Sequence, residues 1–130
     1  MITEDYIMRM IKDMSRMLAV LMFGKKGKTM TAEEQMQLAS ASRGLPLTEQ
    51  LNRMADEGRI NDAEDRLFDE LDFSEPTELH IAMAFYEHLN SYGDAFLERH
   101  DYSREEILEG LRDCAVKFGV DESLLDVFHP

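Results

Sequence analysis

The chain has 130 residues, 44% of them hydrophobic, and a formal net charge of −13. That length predicts one domain with a modest core of its own. The charge excludes a nucleic-acid binder, because backbone phosphates repel an acidic surface.

The charge is unevenly spread. Residues 1–28 hold six Lys/Arg against three Asp/Glu, a net of +3; residues 29–130 hold eight against twenty-four, a net of −16. The organisation that follows is a Met-rich amphipathic helix over 1–24, a basic Gly/Lys linker over 25–30 and an acidic helical body over 31–130. The single cysteine, Cys114, has no partner for an internal disulfide, which predicts a reducing, cytoplasmic compartment. The longest apolar run, Met17–Phe23, is seven residues, where a membrane-spanning helix needs about 20. The opening residues have neither the basic start nor the small-residue cleavage site of a signal peptide.

Helix punctuation divides the chain. Thr3 caps a first helix to about Phe23, and Gly24 and Gly27 stop it. Thr31-Ala-Glu-Glu34 is a capping box that opens a helix to about Ser42. Gly44-Leu-Pro46 then breaks the chain, and a third helix covers about Leu47–Glu57, ending at Gly58. Asn61-Asp-Ala-Glu64 caps a fourth, to about Leu71. Ser74-Glu-Pro76 opens a fifth, with proline in the first turn where its missing N–H costs little. It reaches about Tyr92. Residues 93–102 form a joint with a short helical turn. Ser103-Arg-Glu-Glu106 is a capping box for a sixth helix to about Phe118, and Asp121 caps a last one through Phe128. No segment sustains strand alternation. The fold class expected is all-α, six to seven short helices in antiparallel hairpins.

Apolar spacing shows how they pack. In the sixth helix Ile107, Leu108, Leu111, Cys114, Ala115 and Phe118 share one side, the stripe of a surface helix. The fifth carries two stripes, Leu79–Ala82–Tyr86–Leu89 and Ile81–Phe85–Tyr92, so it is expected at the centre.

Two resemblances follow from particular residues. Residues 47–71 form two helices meeting at Gly58-Arg-Ile-Asn61, with Leu47, Leu51 and Met54 on the first, small Ala63 at the crossing, and Leu67 and Phe68 beyond. This hairpin resembles one tetratricopeptide unit, with Pro76 one residue late for the terminal proline. A second unit 34 residues on is missing: Tyr92 stands at the glycine and Leu97 at the alanine. Arrays need about three repeats to bury a continuous core, so a generic antiparallel hairpin remains an equal reading. The opening Asp5-Tyr-Ile-Met-Arg-Met-Ile11, its Met/Leu-rich continuation and the acidic helical body resemble a family of small bacterial proteins of unknown function. That resemblance implies a cytoplasmic helical protein and carries no reaction or catalytic residues.

The residue patterns of chemistry are weak throughout. His80 and His88 are eight residues apart, about 80° around a helix, whereas two ligands of one ion want i,i+3 or i,i+4 spacing. His88 flanks an apolar stripe and reads as a core histidine with a hydrogen-bond partner; His80 reads as exposed near Glu87. The acidic segment 62–72 lacks the glycine at position six of a calcium loop and reads as a solvated helix face. Cys114 lies in an apolar stripe late in its helix, where the dipole disfavours a thiolate. No phosphate-cradling loop, nucleophile elbow or zinc spacing occurs. The sequence assigns no catalytic, cofactor-binding or metal-ligating residue and implies no cofactor.

The first helix carries the functional expectation. Five of the ten methionines lie between Met8 and Met22. Arg9, Lys12 and Arg16, with Glu4, Asp5 and Asp13, fill one narrow stripe; the rest is apolar, a sector wider than a surface helix of a small monomer needs. Three readings stand open. The helix is core, with methionine filling irregular gaps. Or part of the sector, represented by Tyr6, Met10, Met14, Met17 and Leu21, is an interface for a protein partner or a second copy. Or it lies on a membrane, drawn by Lys25, Lys26 and Lys28 against the repulsion of the acidic body. The first two outrank the third. The expected function is a non-enzymatic interaction module, possibly a homodimer; the alternative is a small enzyme or ligand binder using carboxylates between helices.

Overall fold

A computed structural model describes residues 4–23 and 44–128, and among these the structure is all-α. Seven α-helices are described: α1 (Glu4–Phe23), α2 (Gly44–Asp56), α3 (Ile60–Glu70), α4 (Leu79–Asn90), α5 (Asp94–Arg99), α6 (Arg104–Lys117) and α7 (Glu122–Leu125). A 3₁₀ turn, Pro76–Glu78, precedes α4. The expected linker at 25–30, the capping box at Thr31–Glu34 and its helix, and His129 lie outside the described residues.

Local signals account for several boundaries. At α6 the Ser103 side chain accepts from the Glu106 N–H while Glu106 accepts from the Ser103 N–H, the reciprocal pair of a capping box. Asp121 accepts from the Ser123 N–H at 2.9 Å and starts α7, which is one turn long rather than running to Phe128. The α2–α3 turn puts Gly58 at φ +89°, a conformation that penalises any Cβ, and the His100 ring packs directly on that glycine.

Three expectations are corrected. Gly44-Leu-Pro46 is the first turn of α2, not a break; the first helical N–H groups have no intrahelical acceptor, so a proline there loses nothing. Asn61 does not cap α3, which starts at Ile60 behind an Arg59 that makes no side-chain cap. Ile60 is buried, and that burial, not a cap, sets the start. His80 is not exposed but 2% accessible.

The reason for the last lies in α4. It packs against α1, α2 and α6, so nearly its whole circumference is covered, including Ile81, Ala82, Phe85, Tyr86 and Leu89. The central position expected from its two stripes is observed. Burial holds the His80 imidazole down to about 4, so it is neutral at physiological pH.

Directions follow from the contacts. Arg104 meets Asn90 and Gly110 meets Tyr86, so α4 and α6 are antiparallel. Asn90 Nδ2 donates to the Met8 carbonyl and Ser15 Oγ donates to Glu87 at 2.7 Å, so α1 also runs antiparallel to α4. The joint after α4 closes on Arg104, whose side chain is 1% accessible. Its guanidinium donates to the Asn90 carbonyl (2.9 Å), the Asn90 side chain (3.0 Å), the Tyr92 carbonyl (2.7 Å) and Asp94 (2.9 and 3.1 Å). The last carbonyls of a helix have no intrahelical donors; Ser91 and Tyr92 serve those of Glu87, His88 and Leu89, and the buried arginine serves the last, Asn90, and Tyr92 beyond it.

Candidate interaction surface and a buried carboxylate cluster

The sector of α1 singled out in the sequence divides in two. Met14 is fully buried and Met10 is 8% accessible. Both turn with Ile7, Ile11 and Leu18 into the core, as residues three, four and seven apart do. These two are core side chains in the folded chain, and the contact surface expected of them narrows accordingly. Met17 is half-buried, while Tyr6 and Leu21 stay 52% and 49% accessible. Among the described residues the exposed large hydrophobics are these two with Leu124 and Val127. Beside that edge α1 exposes Arg9, Lys12, Asp13 and Arg16, with Arg16 Nη1 3.8 Å from Asp13.

A second feature has no single-segment signature. Glu64, in the middle of α3, is half-buried and accepts from Tyr86 Oη at 2.5 Å. The Tyr102 hydroxyl turns to the same carboxylate without an aligned hydrogen bond. Gly110 of α6 makes the approach possible: a Cβ there would stand 2.5 Å from both Glu64 Oε2 and Tyr86 Oη. Cys114, one turn on, is buried against Tyr86.

Burial pushes the Glu64 carboxyl above the usual carboxylate range, against the Tyr86 hydrogen bond and the nearby Tyr102 hydroxyl, which favour the anion; Glu106 and Asp65 raise it further. Both tyrosines are raised, chiefly by burial, and remain donors. Burial pushes the Cys114 thiol up to about 12, so it is no nucleophile at neutral pH. Beside Tyr102 opens a cleft of about 420 Å³ lined by Asp94, Leu97, Glu98, Tyr102, Ser103 and Arg104.

The sign of the pH effect is fixed by linkage. A carboxyl raised in the folded state binds more protons there than in the unfolded chain, so its stabilising contribution is complete below the unfolded value and is lost as pH rises through the folded one. Glu64→Gln, which keeps the shape, is therefore expected to gain stability relative to wild type as pH rises from 4.5 toward neutrality. Paired urea titrations at several pH values check this; parallel pH profiles for the two proteins would refute it.

A third cluster lines the joint. His88, Tyr92, Phe96 and His100 form a ladder of ring contacts with centroids 5.2, 4.2 and 4.6 Å apart. Asp56, at the end of α2, lies 2.8 Å from His88 Nε2 and accepts from Tyr92 Oη at 2.5 Å. The Tyr92 bond, then His88, hold its carboxyl below the usual range. The hydrogen-bonded histidine expected at His88 is present, at the rim rather than in the core.

Residues 1–119 match the model of DUF6483, a family of unknown function. The chain belongs to that family. No curated protein and no solved structure matches it. The DUF6483 match runs from the start of α1 to just past α6. It thus takes in the α1 edge, the Glu64 cluster and the aromatic ladder, and leaves out α7. Among the described residues no group of His, Cys, Asp or Glu is arranged to hold a metal ion, and no helix is long and apolar enough to cross a membrane.

Proposed function

We propose that the protein is a non-enzymatic, cytoplasmic helical interaction module whose contact surface is the outer edge of α1. The observation that carries this reading is the half exposure of Tyr6 and Leu21, at opposite ends of a helix whose inner residues are core. Large apolar side chains at an edge flanked by charge are what a protein-protein contact uses at its centre. The acidic body disfavours nucleic acid and anionic lipid as partners. The α2–α3 hairpin, with Ala63 fully buried, supports a tetratricopeptide-like helical scaffold behind the edge.

The test is affinity capture with the wild-type chain and with Tyr6→Lys/Leu21→Lys as bait, each with an untagged copy of the chain present. A protein retained by the wild type and lost by the variant supports the reading. Equal capture by both, or none by either, overturns it. Both sites are on the surface, so the variant is expected to fold, which circular dichroism checks.

A second reading has an observation of its own. Glu64 is a half-buried carboxyl with a raised proton affinity between helices, the environment of a general acid or a ligand-binding acid. Its weakness is access: the acid is occupied by Tyr86, and the neighbouring cleft is lined by Tyr102 and not by Glu64. A small-molecule screen whose hits lose binding in Glu64→Gln, with its fold intact, would promote this reading over the first.

A further inference from the structure

We infer that Glu64 anchors a binding site for an alkylammonium group, completed by Glu106 and the Tyr102 hydroxyl. The inference rests on the reading of Glu64 as a ligand-binding acid and names the chemistry of the ligand.

Each of the three groups has an acceptor to spare. Tyr86 occupies Glu64 Oε2 only; Oε1 accepts from no described residue, and Glu64 is half-buried rather than sealed. Glu106 caps Ser103 through Oε2, and its Oε1 is likewise uncommitted on an exposed residue. Tyr102 is 5% accessible, yet its buried hydroxyl turns to Glu64 without making a hydrogen bond. A buried hydroxyl without a partner is costly. An N–H donor set between it and Glu64 removes that cost.

Charge selects a cation. The charged groups that act on Glu64 are Glu106 and Asp65, both acids, and they strengthen its hold on a proton. Among the described residues no lysine, arginine or histidine pairs with Glu64. The Arg104 guanidinium is committed to Asn90, Tyr92 and Asp94. Outside, Glu98, Asp101 and Glu106 join Tyr102 and Ser103 around a shallow depression of about 390 Å³. Acids of one sign lining a concave surface raise the local concentration of a cation.

Geometry selects an ammonium. A guanidinium binds a carboxylate best through two parallel N–H bonds, and one oxygen of Glu64 is already taken by Tyr86. An ammonium is compact and has three donors, one each for Glu64 Oε1, Glu106 and Tyr102 Oη. Among the described residues no set of carboxylates is arranged to hold a metal ion instead.

An NMR titration of the full chain with butylammonium chloride tests this. Saturable binding is expected with a millimolar Kd, the scale open to a ligand of so few atoms. Glu64→Gln is expected to weaken it at least about tenfold, and Tyr102→Phe, which deletes only the hydroxyl, about three- to tenfold. Asp69→Asn, at an exposed position of α3, removes the same charge as Glu64→Gln and is expected to leave binding unchanged. Tetramethylammonium has the charge without N–H donors and is expected not to bind, a comparison that needs no variant. Nα-acetyl-lysine amide, titrated alongside, distinguishes a lysine side chain from a free amine as the source by which of the two binds tighter. No saturable binding of either below about 50 mM, equal binding of tetramethylammonium, or an equal loss in Asp69→Asn would overturn the ammonium site. An uncharged or anionic screening hit that depends on Glu64 would then leave the ligand-binding reading standing. Hits that all bind equally well to Glu64→Gln would overturn both.

Discussion

Replacing Arg104 with alanine is expected to destabilise the protein by about 3–5 kcal/mol, the cost of breaking a buried charged network by removing one partner. The magnitude comes from what is left behind rather than from the ion pair. Asp94 is 62% exposed, and water takes over its hydrogen bonds once the guanidinium is gone, so that pair contributes little. The carbonyls of Asn90 and Tyr92 and the Asn90 side chain lie beside a fully buried guanidinium. Leaving a buried acceptor unsatisfied costs about 1–3 kcal/mol. Arg104 also secures Asn90, which in turn donates to Met8 of α1, so the loss spreads from the joint to the first helix. Arg104→Lys keeps the charge but not the planar fork, and is expected to recover less than half of the loss. Urea unfolding reads both: with a slope of about 1–3 kcal/mol/M, the alanine variant's midpoint should fall by at least ~1 M. A cost under about 1 kcal/mol for alanine would mean that the α4–α5 joint is held by something else.

The elements legible in the sequence are those whose cause is local. The Ser103–Glu106 box and the Asp121 cap need only residues two or three apart, and both are observed. The central place of α4 was legible because two apolar stripes on one helix demand cover on two sides. The misread residues are those whose partners are distant in the chain. Glu64 has the spacing of a capping-box glutamate behind Asn61, but its partner is Tyr86, 22 positions away. His80 sits among polar residues on a helical wheel and is buried because three helices surround α4. Arg104 lies inside the capping box as an unremarked polar residue, and only the fold of the joint brings Asn90, Tyr92 and Asp94 onto it. In α1 the sequence showed too wide an apolar sector. It could not say that Met10 and Met14 turn inward while Tyr6 and Leu21 remain at the edge, because that depends on where α4 and α6 lie.

Gly110→Ala gives the second large effect, and its sign is the diagnostic. In an ordinary helix interior, glycine to alanine gains about 1 kcal/mol from backbone entropy. Gly110 lies inside α6 at ordinary helical geometry, so nothing in the backbone conformation forbids alanine. The obstacle is steric: the new methyl would meet Glu64 Oε2 and Tyr86 Oη at 2.5 Å and Tyr86 Cε1 at 2.6 Å. The ring cannot retreat, because Tyr86 is fully buried, so α6 must move out or the Glu64–Tyr86 bond must break. Overpacking costs about 1–3 kcal/mol and a lost hydrogen bond to a charged group about 1.5–3. Set against the propensity gain, the net expected is a destabilisation of about 2–4 kcal/mol. Repeating the substitution in a Glu64→Ala background separates the causes. With the carboxylate gone, Tyr86 has lost its bond already and one of the colliding atoms is absent. Alanine at 110 should therefore cost at least 1 kcal/mol less there, a coupling of the size found between residues in direct contact. Equal costs in the two backgrounds would place the strain elsewhere in α6, and a gain of stability in the wild-type background would mean that the three helices do not approach as closely as Glu64, Tyr86 and Gly110 require.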